Sequence, residues 1–195
     1  MFDLFRKQKK AGETYKVFKS KTEKYRILVN DVLDLPDQKN LDIVYFFQTT
    51  GNEVELLFNA AGIAFANRQK VLVAEDRINL WSARAFLDQR VIPDGLIWGA
   101  EFHPIRTTNL ELISSLPVHA EIRFYTTLDN AFYRAIGMGS TISMMDSLGL
   151  KENDSIEHKL VNKALVRTQE KMESRVGTAR DAESLDEWVE INVPN

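Results

Sequence analysis

The sequence predicts an α/β fold, in which a mainly parallel β-sheet is flanked by helices and followed by a long C-terminal helix. Apolar segments typical of buried strands alternate with amphipathic segments typical of helices between residues 22 and 137. Strands that alternate with helices usually lie parallel, because each helix carries the chain back across the sheet. With 195 residues, the chain is long enough for one such domain and a helical appendage.

The composition narrows the classes of function. The chain is 44% hydrophobic and 27% charged, as expected of a globular protein. It has no cysteine, which excludes a disulfide scaffold, thiol catalysis and zinc sites built on thiolates. Its histidines, His103, His119 and His158, lack metal-ligand spacing. No apolar run approaches the ~20 residues of a membrane-spanning helix, and the first residues lack the apolar core of a signal peptide, so we expect a cytoplasmic protein.

The elements of the predicted domain follow in order. A helix over residues 22–35 has Thr22 as its N-cap and stops at Pro36. The strand 41–47 follows, residues 48–52 form a turn, and a second helix over 53–61 ends at Gly62. The remaining elements are a strand over 70–75, a helix over 81–91, a strand over 96–101, a strand over 121–127 and a helix over 128–137.

Residues 106–120 are predicted to be a long loop after the strand 96–101. The ends of parallel strands are where α/β folds usually carry their chemistry. This loop has no glycine or lysine, and Arg106 is its only arginine. The segment is therefore poorly suited to bind phosphate.

The chain divides into four predicted units: a basic N-terminal tail (1–14), the α/β domain (15–137), a helical extension (138–177) and an acidic tail (178–195). In the extension, Asp154 and Glu157 form a capping box that opens a helix of about twenty residues, which Gly177 ends. We expect both tails to be solvated and poorly ordered. The alternative for Met1–Lys10 is one short amphipathic turn on an anionic membrane surface.

Two segments after predicted strands are candidates for ligand contact. Thr49, Thr50, Gly51 and Asn52 lie between a strand and a helix, where free N–H groups bind anions such as nucleotide phosphates, although most such helix ends are merely capped. Residues 74–77 offer Glu75 and Asp76 with Arg77, which suits acid–base work or magnesium, and the alternative is ordinary surface charge. Residues 137–141, GMGST, come nearest to a phosphate-binding loop but have no lysine, so a linker is the better interpretation.

Two further groups carry charge. Glu101 and His103 have the chemistry of a base and its orienting partner, but no nucleophile can be placed beside them, which favours structural polar contacts. Basic residues recur every four positions along the long C-terminal helix, at Lys159, Lys163, Arg167, Lys171 and Arg175. This basic ridge suits an acidic protein or nucleic acid, and the alternative is a solvated helix face.

Several segments, in order, resemble the second motor domain and the following scaffold helix of SecA, the ATPase of bacterial preprotein translocation. GLIWGAEFHPIRTTN is similar to the family pattern GLxxIGTERHESRRID at Gly95, Leu96, Gly99, Glu101, His103 and Arg106. LGLKENDSIEHKLVNKALVRTQEKME is similar to LGxxEDxxIEHKMVxxAIxxAQKKVE, with Glu157, His158, Lys159, Gln169 and Glu173 retained. The resemblance covers most of residues 15–175 and implies a RecA-like α/β domain.

The departures from that family bear on activity. The arginine-finger motif QLRGRSGRQGDPG corresponds to residues 111–121, ELISSLPVHAE, which contain no arginine. Its companion ATNMAGRGTDI corresponds to EDRINL, where only Arg77 is kept. Neither a P-loop nor the first motor domain is present in the sequence. Arginine fingers stabilise charge on the transferred phosphoryl group, so the resemblance implies a degenerate domain that does not hydrolyse ATP by itself.

The resemblance implies a non-enzymatic binding or adaptor protein without a cofactor. Its expected partners are a SecA-type motor, a secretory protein or a membrane-associated assembly, and nucleic acid is not expected. The alternative is a nucleotide-binding subunit that holds ATP or ADP at Thr49–Asn52, with Arg77 as a further candidate contact, and completes a composite ATPase site with a partner. The expected location is the cytoplasm, with peripheral contact to the inner membrane as a variant through Met1–Lys10.

Overall fold

A computed structural model describes residues 11–68, 77–88, 95–137 and 154–193. Within them six strands form one sheet: β1 (Gly12–Phe18), β2 (Leu41–Tyr45), β3 (Ala66–Asn67), β4 (Ile78–Ser82), β5 (Leu96–Gly99) and β6 (Glu121–Thr127). The strand order is β1-β6-β5-β2-β4-β3, and every pair of these strands is parallel. The predicted α/β fold with a mainly parallel sheet is confirmed.

Seven described helices flank the sheet: α1 (Lys21–Leu33), α2 (Gln48–Ala60), α3 (Ala83–Asp88), α4 (Arg106–Ser115), α5 (Ala131–Ala135), α6 (Lys159–Glu173) and α7 (Leu185–Asn192). Side chains of a strand alternate between the two faces of a sheet, and here both faces are buried. Ile43 and Tyr45 pack with α1 and α2 on one face, whereas Val44 packs with the clusters of α3 to α7 on the other. The continuous apolar sequence of β2 reflects this position at the centre of three layers.

The first strand was absent from the expected order. Residues 12–18 fall partly in the predicted basic tail, yet β1 pairs along its whole length with β6, from Gly12 beside Glu121 to Phe18 beside Thr127. Tyr15 and Phe18 are fully buried. The polar residues between them conceal the strand, because an edge strand does not need a continuous apolar run.

The predicted loop 106–120 is wrong over most of its length. Residues 106–115 form α4, which buries Asn109, Leu112 and Ile113. The loop was inferred from the position of the segment after a predicted strand, and only these three positions of the helix are buried. Asn109 hides the pattern, because it is a polar residue at a buried position.

The region between β3 and β5 also differs from the expected one. The predicted strand 70–75 lies outside the described residues, and the described strand β4 is Ile78–Ser82. The following helix α3 spans Ala83–Asp88, so the predicted helix 81–91 began two residues too early. Trp81 is instead a strand residue that pairs with Val44 of β2.

Several helix ends were also misplaced. α1 begins at Lys21 with Ser20 as its N-cap, not at Thr22, and the predicted turn 48–52 is the first turn of α2. The predicted capping box at Asp154 and Glu157 is wrong, since α6 begins at Lys159 with His158 as its N-cap. Ile156 instead bridges to Val17 of β1.

The acidic tail is not simply solvated. Its residues 185–192 form α7, whose Trp188 is only 2% exposed and belongs to the core beside the sheet. One aromatic residue is enough to dock a short helix, because a buried tryptophan removes a large apolar area from water.

Candidate functional site

Glu101 lies at the carboxyl edge of the sheet, in the crevice between β2 and β5. One carboxylate oxygen accepts hydrogen bonds from the backbone N–H groups of Phe46 (3.2 Å) and Phe47 (2.9 Å), and the other accepts from the Thr50 hydroxyl (2.7 Å). Phe47 is the N-cap residue of α2 and has no capping side chain of its own. Glu101 therefore caps α2 from a different strand, with its negative charge at the positive end of the helix.

Lys24 of α1 is the buried cation whose charge opposes that of Glu101. Its ammonium donates to the carbonyl of Ala100 (3.1 Å) and lies 4.1 Å from the centre of the Tyr25 ring. Burial lowers the pKa of Lys24 to about 8, opposed by the charges of Glu101 and Glu53. Burial likewise raises the pKa of Glu101, opposed by Lys24, Thr50 and the two backbone N–H groups. The two groups thus share one poorly hydrated site at the edge of the sheet.

Glu53 connects this site to the surface. It accepts hydrogen bonds from the Tyr25 hydroxyl (2.5 Å) and from the Lys21 ammonium (2.6 Å). Burial, together with the hydrogen bond to Glu53, raises the pKa of Tyr25. The phenol is therefore a hydrogen-bond donor at neutral pH.

These groups surround a cavity of about 140 Å³, the carboxyl-edge cavity. It is lined by residues of α1, α2 and β6, by Glu101 and by the start of α7, among them Lys24, Thr50, Thr126, Asn130 and Asp186. Sites for drug-sized ligands usually measure about 300–1,000 Å³. The carboxyl-edge cavity has room for several waters or for a few heavy atoms of a ligand.

The candidate anion-binding residues Thr49, Thr50, Gly51 and Asn52 all lie in the first turns of α2. The Thr49 N–H donates to the carbonyl of Glu183 (3.0 Å), and Asn52 accepts a hydrogen bond from the Gln48 amide (2.9 Å). A Cβ atom at Gly51 would lie 2.5 Å from the ring of Tyr45, so glycine allows the tyrosine to pack beneath the helix.

Arg77, grouped with those residues as a nucleotide contact, lies at the opposite edge of the sheet. It immediately precedes β4, and its guanidinium bonds the carbonyls of Leu35 (3.2 Å) and Pro36 (3.0 Å) and the carboxylate of Asp37 (3.2 Å). The length of β2 separates it from Thr49–Asn52. The expected position was wrong because residue 77 begins a strand instead of following one.

His103 belongs to a buried polar cluster beside α4. Its Nδ1 accepts from the Ile105 N–H (3.1 Å), and Asn109 bonds its backbone N–H (2.9 Å) and carbonyl (2.6 Å). Gln169 of α6 donates to the same carbonyl (3.0 Å). Burial lowers the pKa of His103 to about 4, so the imidazole is neutral near pH 7. Phe47 stacks on one side of it, and Trp188 packs edge-on.

Arg106 holds the start of α4 against β1. Its guanidinium makes two hydrogen bonds to the carboxylate of Glu13, and that carboxylate also accepts from the Tyr15 hydroxyl (2.9 Å). Thr107 adjoins it and donates from its hydroxyl to Glu173 of α6 (2.6 Å). The three ionisable residues of segment 95–106 that match the SecA pattern, Glu101, His103 and Arg106, thus all join secondary-structure elements to one another.

The basic ridge lies on the outer face of α6. Lys159, Lys163, Arg167 and Lys171 are all exposed, and Lys171 is in the last turn of the helix. The opposite face buries Leu165, Gln169 and Met172. Leu160, 68% exposed, lies among the basic residues. The ridge therefore remains a candidate surface for a partner.

Other candidates fall outside the described residues: Glu75 and Asp76, most of the segment 137–141, and Met1–Lys10. Within the described ranges, no three histidine, aspartate or glutamate side chains lie together in a way that could hold a metal ion. Over those same ranges, no helix combines the length and hydrophobicity needed to cross a membrane.

Lys24 and Asn109 are the site residues that sequence reasoning missed. Lys24 is four positions before Leu28, on the apolar face of α1, and Asn109 is three positions before Leu112. A polar residue on a buried stripe is the signal that was available. Such a residue is buried only if partners satisfy it, and those partners come from distant segments.

Together, the fold and site define an α/β domain whose carboxyl-edge crevice is filled by its own glutamate and lysine. About half of the chain is related in sequence to SecA. It is 32% identical to the protein translocase subunit SecA of Afipia carboxidovorans over 112 residues, which cover 55% of this chain and 12% of that protein. The SecA of Psychrobacter cryohalolentis is 35% identical over 97 residues, 48% of this chain and 10% of that one. The chain thus spans about a tenth of the length of these relatives, and no family model matches it.

Solved structures with a similar fold include a DEAD-box protein and a viral helicase. The DEAD-box protein SrmB of E. coli, bound to the regulator RraA, has a TM-score of 0.45 and 11% identity over 60% of this chain and 78% of that one. The arterivirus helicase nonstructural protein 10, with DNA, has a TM-score of 0.42 and 17% identity over 61% of this chain and 29% of that one. The similarity is too low to bear on function.

Proposed function

We propose that this chain is a SecA-related domain that binds other proteins in a process linked to protein export and does not hydrolyse ATP. The sequence relation to SecA over about half of the chain supports the link to export. The proposal that the chain does not hydrolyse ATP rests on the position of Glu101. Its carboxylate binds the N–H groups of Phe46 and Phe47, which lead into α2, and so places a negative charge where a phosphate would approach the start of the helix.

A nucleotide would have to displace this carboxylate. Both oxygens of Glu101 are hydrogen-bonded, and the neighbouring cavity of about 140 Å³ is well below the volume of usual small-molecule sites. A triphosphate brought beside Glu101 would also meet a like charge in a poorly hydrated environment. These features oppose nucleotide binding by the isolated domain.

The segment that replaces the arginine-rich motif supports the same proposal. Its residues 111–115 complete α4, and Arg106 at the start of that helix is paired with Glu13. An arginine finger acts only if its guanidinium is free to reach the transferred phosphoryl group. Arg106 is instead a structural link between α4 and β1.

The proposed partners are proteins: a SecA-type motor, a secretory protein or a membrane-associated assembly. The basic ridge, Lys159 to Lys171, is the surface that we assign to such a partner, and its charge favours an acidic one. The net charge of the whole chain, -3, makes nucleic acid the weaker choice. We place the protein in the cytoplasm, with Met1–Lys10 as a peripheral contact to the inner membrane.

Calorimetry and turnover measurements test the absence of nucleotide chemistry. Titration of the full chain with Mg-ATP and Mg-ADP should give no binding heat, and phosphate release should not exceed that of buffer. Saturable binding that Thr50→Val weakens, with no change for Thr107→Val on α4, would replace this proposal by the alternative. In that alternative, a nucleotide held at Thr49–Asn52 completes a composite site, and a partner subunit would stimulate hydrolysis.

Affinity purification tests the protein-binding half of the proposal. The full chain used as bait in a lysate of its own cells should retain export components. A variant with Lys159, Lys163, Arg167 and Lys171 changed to glutamate should lose them. A matched variant with four exposed acids, Asp88, Glu111, Glu121 and Glu190, changed to the corresponding amides should retain them. Equal retention by both variants would exclude the ridge as the partner surface.

A further inference from the structure

The segment around α7 is a small unit held together by its own hydrogen bonds. The Ser184 hydroxyl accepts from the Glu187 N–H (3.1 Å), and the Glu187 carboxylate accepts from the Glu183 N–H (2.8 Å), which is a reciprocal capping box. Asn192 accepts from the Arg180 N–H (2.7 Å) and donates to its carbonyl (2.9 Å). Residues 180–192 thus stabilise their own conformation.

The unit contacts the rest of the domain through hydrogen bonds at its start and through an apolar face that includes the buried Trp188 and Val189. The Glu183 carbonyl accepts from the Thr49 N–H (3.0 Å), and the Asp186 carboxylate accepts from the Ala131 N–H (3.0 Å). Trp188, 2% exposed, packs edge-on against His103 with the ring centres 5.3 Å apart. We call the surface beneath the unit, formed by Thr49, His103, Ala131 and Arg134, the tail site.

The tail site fits its occupant in shape and charge. A helix bound to a protein surface is usually anchored by a buried aromatic residue with apolar neighbours and a polar rim, and here Trp188 is that residue, with Val189 buried beside it. The occupant is acidic: residues 181–195 contain five carboxylates and no basic residue. The tail site offers backbone N–H groups and Arg134, whose guanidinium lies 3.9 Å from Asp186. The exposed residues 177–181 connect the unit to α6 as a tether.

The same unit covers the carboxyl-edge cavity. Ser184, Leu185 and Asp186 line that cavity together with Lys24 and Glu101. We propose that the tail site is a binding site for a short acidic helix that carries a tryptophan, and that α7 occupies it until a partner's helix of this chemistry takes its place. The fold would stay intact when α7 leaves the tail site. The cavity would be open until the partner's helix binds.

Peptide binding tests the proposal on the full-length chain. The probe is a fluorescent synthetic peptide of residues 178–193, titrated into the wild type, Trp188→Ala, and the double variant Ser184→Ala/Asp186→Ala. A tethered helix competes at an effective concentration of about millimolar. The peptide should therefore bind both variants at least tenfold more tightly than the wild type. The double variant changes no fully buried side chain, so the test stands even if Trp188→Ala fails to fold.

Matched controls define the specificity. Glu190→Ala, at an exposed position of the same helix, should bind the peptide like the wild type. A peptide with Trp188→Ala should bind at least tenfold more weakly than the parent peptide to every chain. Equal affinity of the two peptides would overturn the proposal, because the anchor would then be irrelevant.

Chemical labelling gives a second measurement. Reductive methylation followed by mass spectrometry should modify Lys24 slowly in the wild type and at least tenfold faster in the double variant. Lys163 and Lys171, which are exposed on α6 and do not line the cavity, should react at unchanged rates. If the folded double variant neither binds the peptide more tightly nor exposes Lys24, the tail is a fixed part of the domain and the proposal is wrong. Since nucleotide takes no part, failure here leaves the proposed function untouched.

Discussion

The hydroxyl of Thr50 donates a 2.7 Å hydrogen bond to the carboxylate of Glu101, which joins the first turn of α2 to the residues that follow β5. The crevice between β2 and β5 is where an open parallel sheet usually binds a ligand. Here a side chain of the protein supplies the negative charge at the helix end. The site consequently contributes to the stability of the fold, which makes its role measurable by unfolding experiments.

We expect Glu101→Gln to lower the free energy of unfolding by about 2 kcal/mol, because the amide removes the negative charge near Lys24 and places an NH2 group where an oxygen accepts from the Thr50 hydroxyl. Urea unfolding at pH 7 measures the change. Glu111→Gln, at an exposed position of α4, is the matched control and should stay within about 0.5 kcal/mol of the wild type. Similar losses in both variants would show that the capping contact has no special weight.

The lowered pKa of Lys24 predicts that the folded protein gains stability at alkaline pH. Its pKa in the folded state, about 8, lies below its ordinary value of 10.5. Between these values the unfolded state binds more protons, so stability rises with pH. The free energy of unfolding of the wild type, minus that of Lys24→Met, should increase by about 1.5 kcal/mol from pH 8 to 9.5. Lys163→Met, at an exposed position, should leave the pH profile of the wild type unchanged.

Denaturant titrations at several pH values measure this difference. The range stops at pH 9.5 because tyrosines in the unfolded state begin to lose their protons near pH 10. A difference that is constant from pH 8 to 9.5 would mean that Lys24 keeps its ordinary pKa and is hydrated.

The lowered pKa of His103 predicts that the folded protein loses stability in mild acid. Burial lowers its pKa from 6.5 to about 4, so between these values the unfolded state takes up a proton that the folded state does not. The wild type should lose about 2 kcal/mol relative to His103→Gln as the pH falls from 6.5 to 4.5. His119→Gln, at an exposed position, should follow the wild-type curve. NMR titration of the imidazole that gave a pKa near 6.5 would contradict the burial of His103 beneath Trp188.

The close approach of Gly51 in α2 to Tyr45 in β2 predicts that substitutions at these two positions are energetically coupled. A Cβ atom at this position would lie 2.5 Å from the Tyr45 ring, so Gly51→Ala should cost about 2 kcal/mol of unfolding free energy through overpacking. Tyr45→Leu removes the clashing ring, and the alanine should cost much less in that background. Gly177→Ala has no atom within 4 Å of the new Cβ and should be close to neutral. A double-mutant cycle with no coupling energy would rule out the close approach.

Much of the fold was predictable because its elements are encoded locally. The central strand β2, the helices α1 and α2 and the strands β5 and β6 all fall within or close to the predicted segments. Each carries a continuous apolar run or a helical apolar stripe, and Gly62 follows the end of α2 as expected, with a positive φ of 67°. These signals depend on neighbouring residues only, so the sequence displays them directly.

The candidate site was less predictable because its contacts span long separations. Glu101 was singled out with His103, yet its described partners are Phe46, Phe47 and Thr50, more than fifty positions earlier. Arg77 was grouped with Thr49–Asn52 and lies at the other edge of the sheet. A shift of one strand assignment moves a residue from one end of the sheet to the other, which periodicity alone does not detect.

By itself, the sequence determined the α/β class, the central strand, the resemblance to SecA and the lack of an arginine-rich motif after β5, because each depends on residues adjacent in the chain. Only the tertiary structure decided that Glu101 caps α2 beside the buried Lys24, that α4 replaces a loop, and that Trp188 anchors α7 over the same cavity. Burying a charge or docking a short helix is favourable only when distant segments supply the partners, and the chain order does not state which segments will meet.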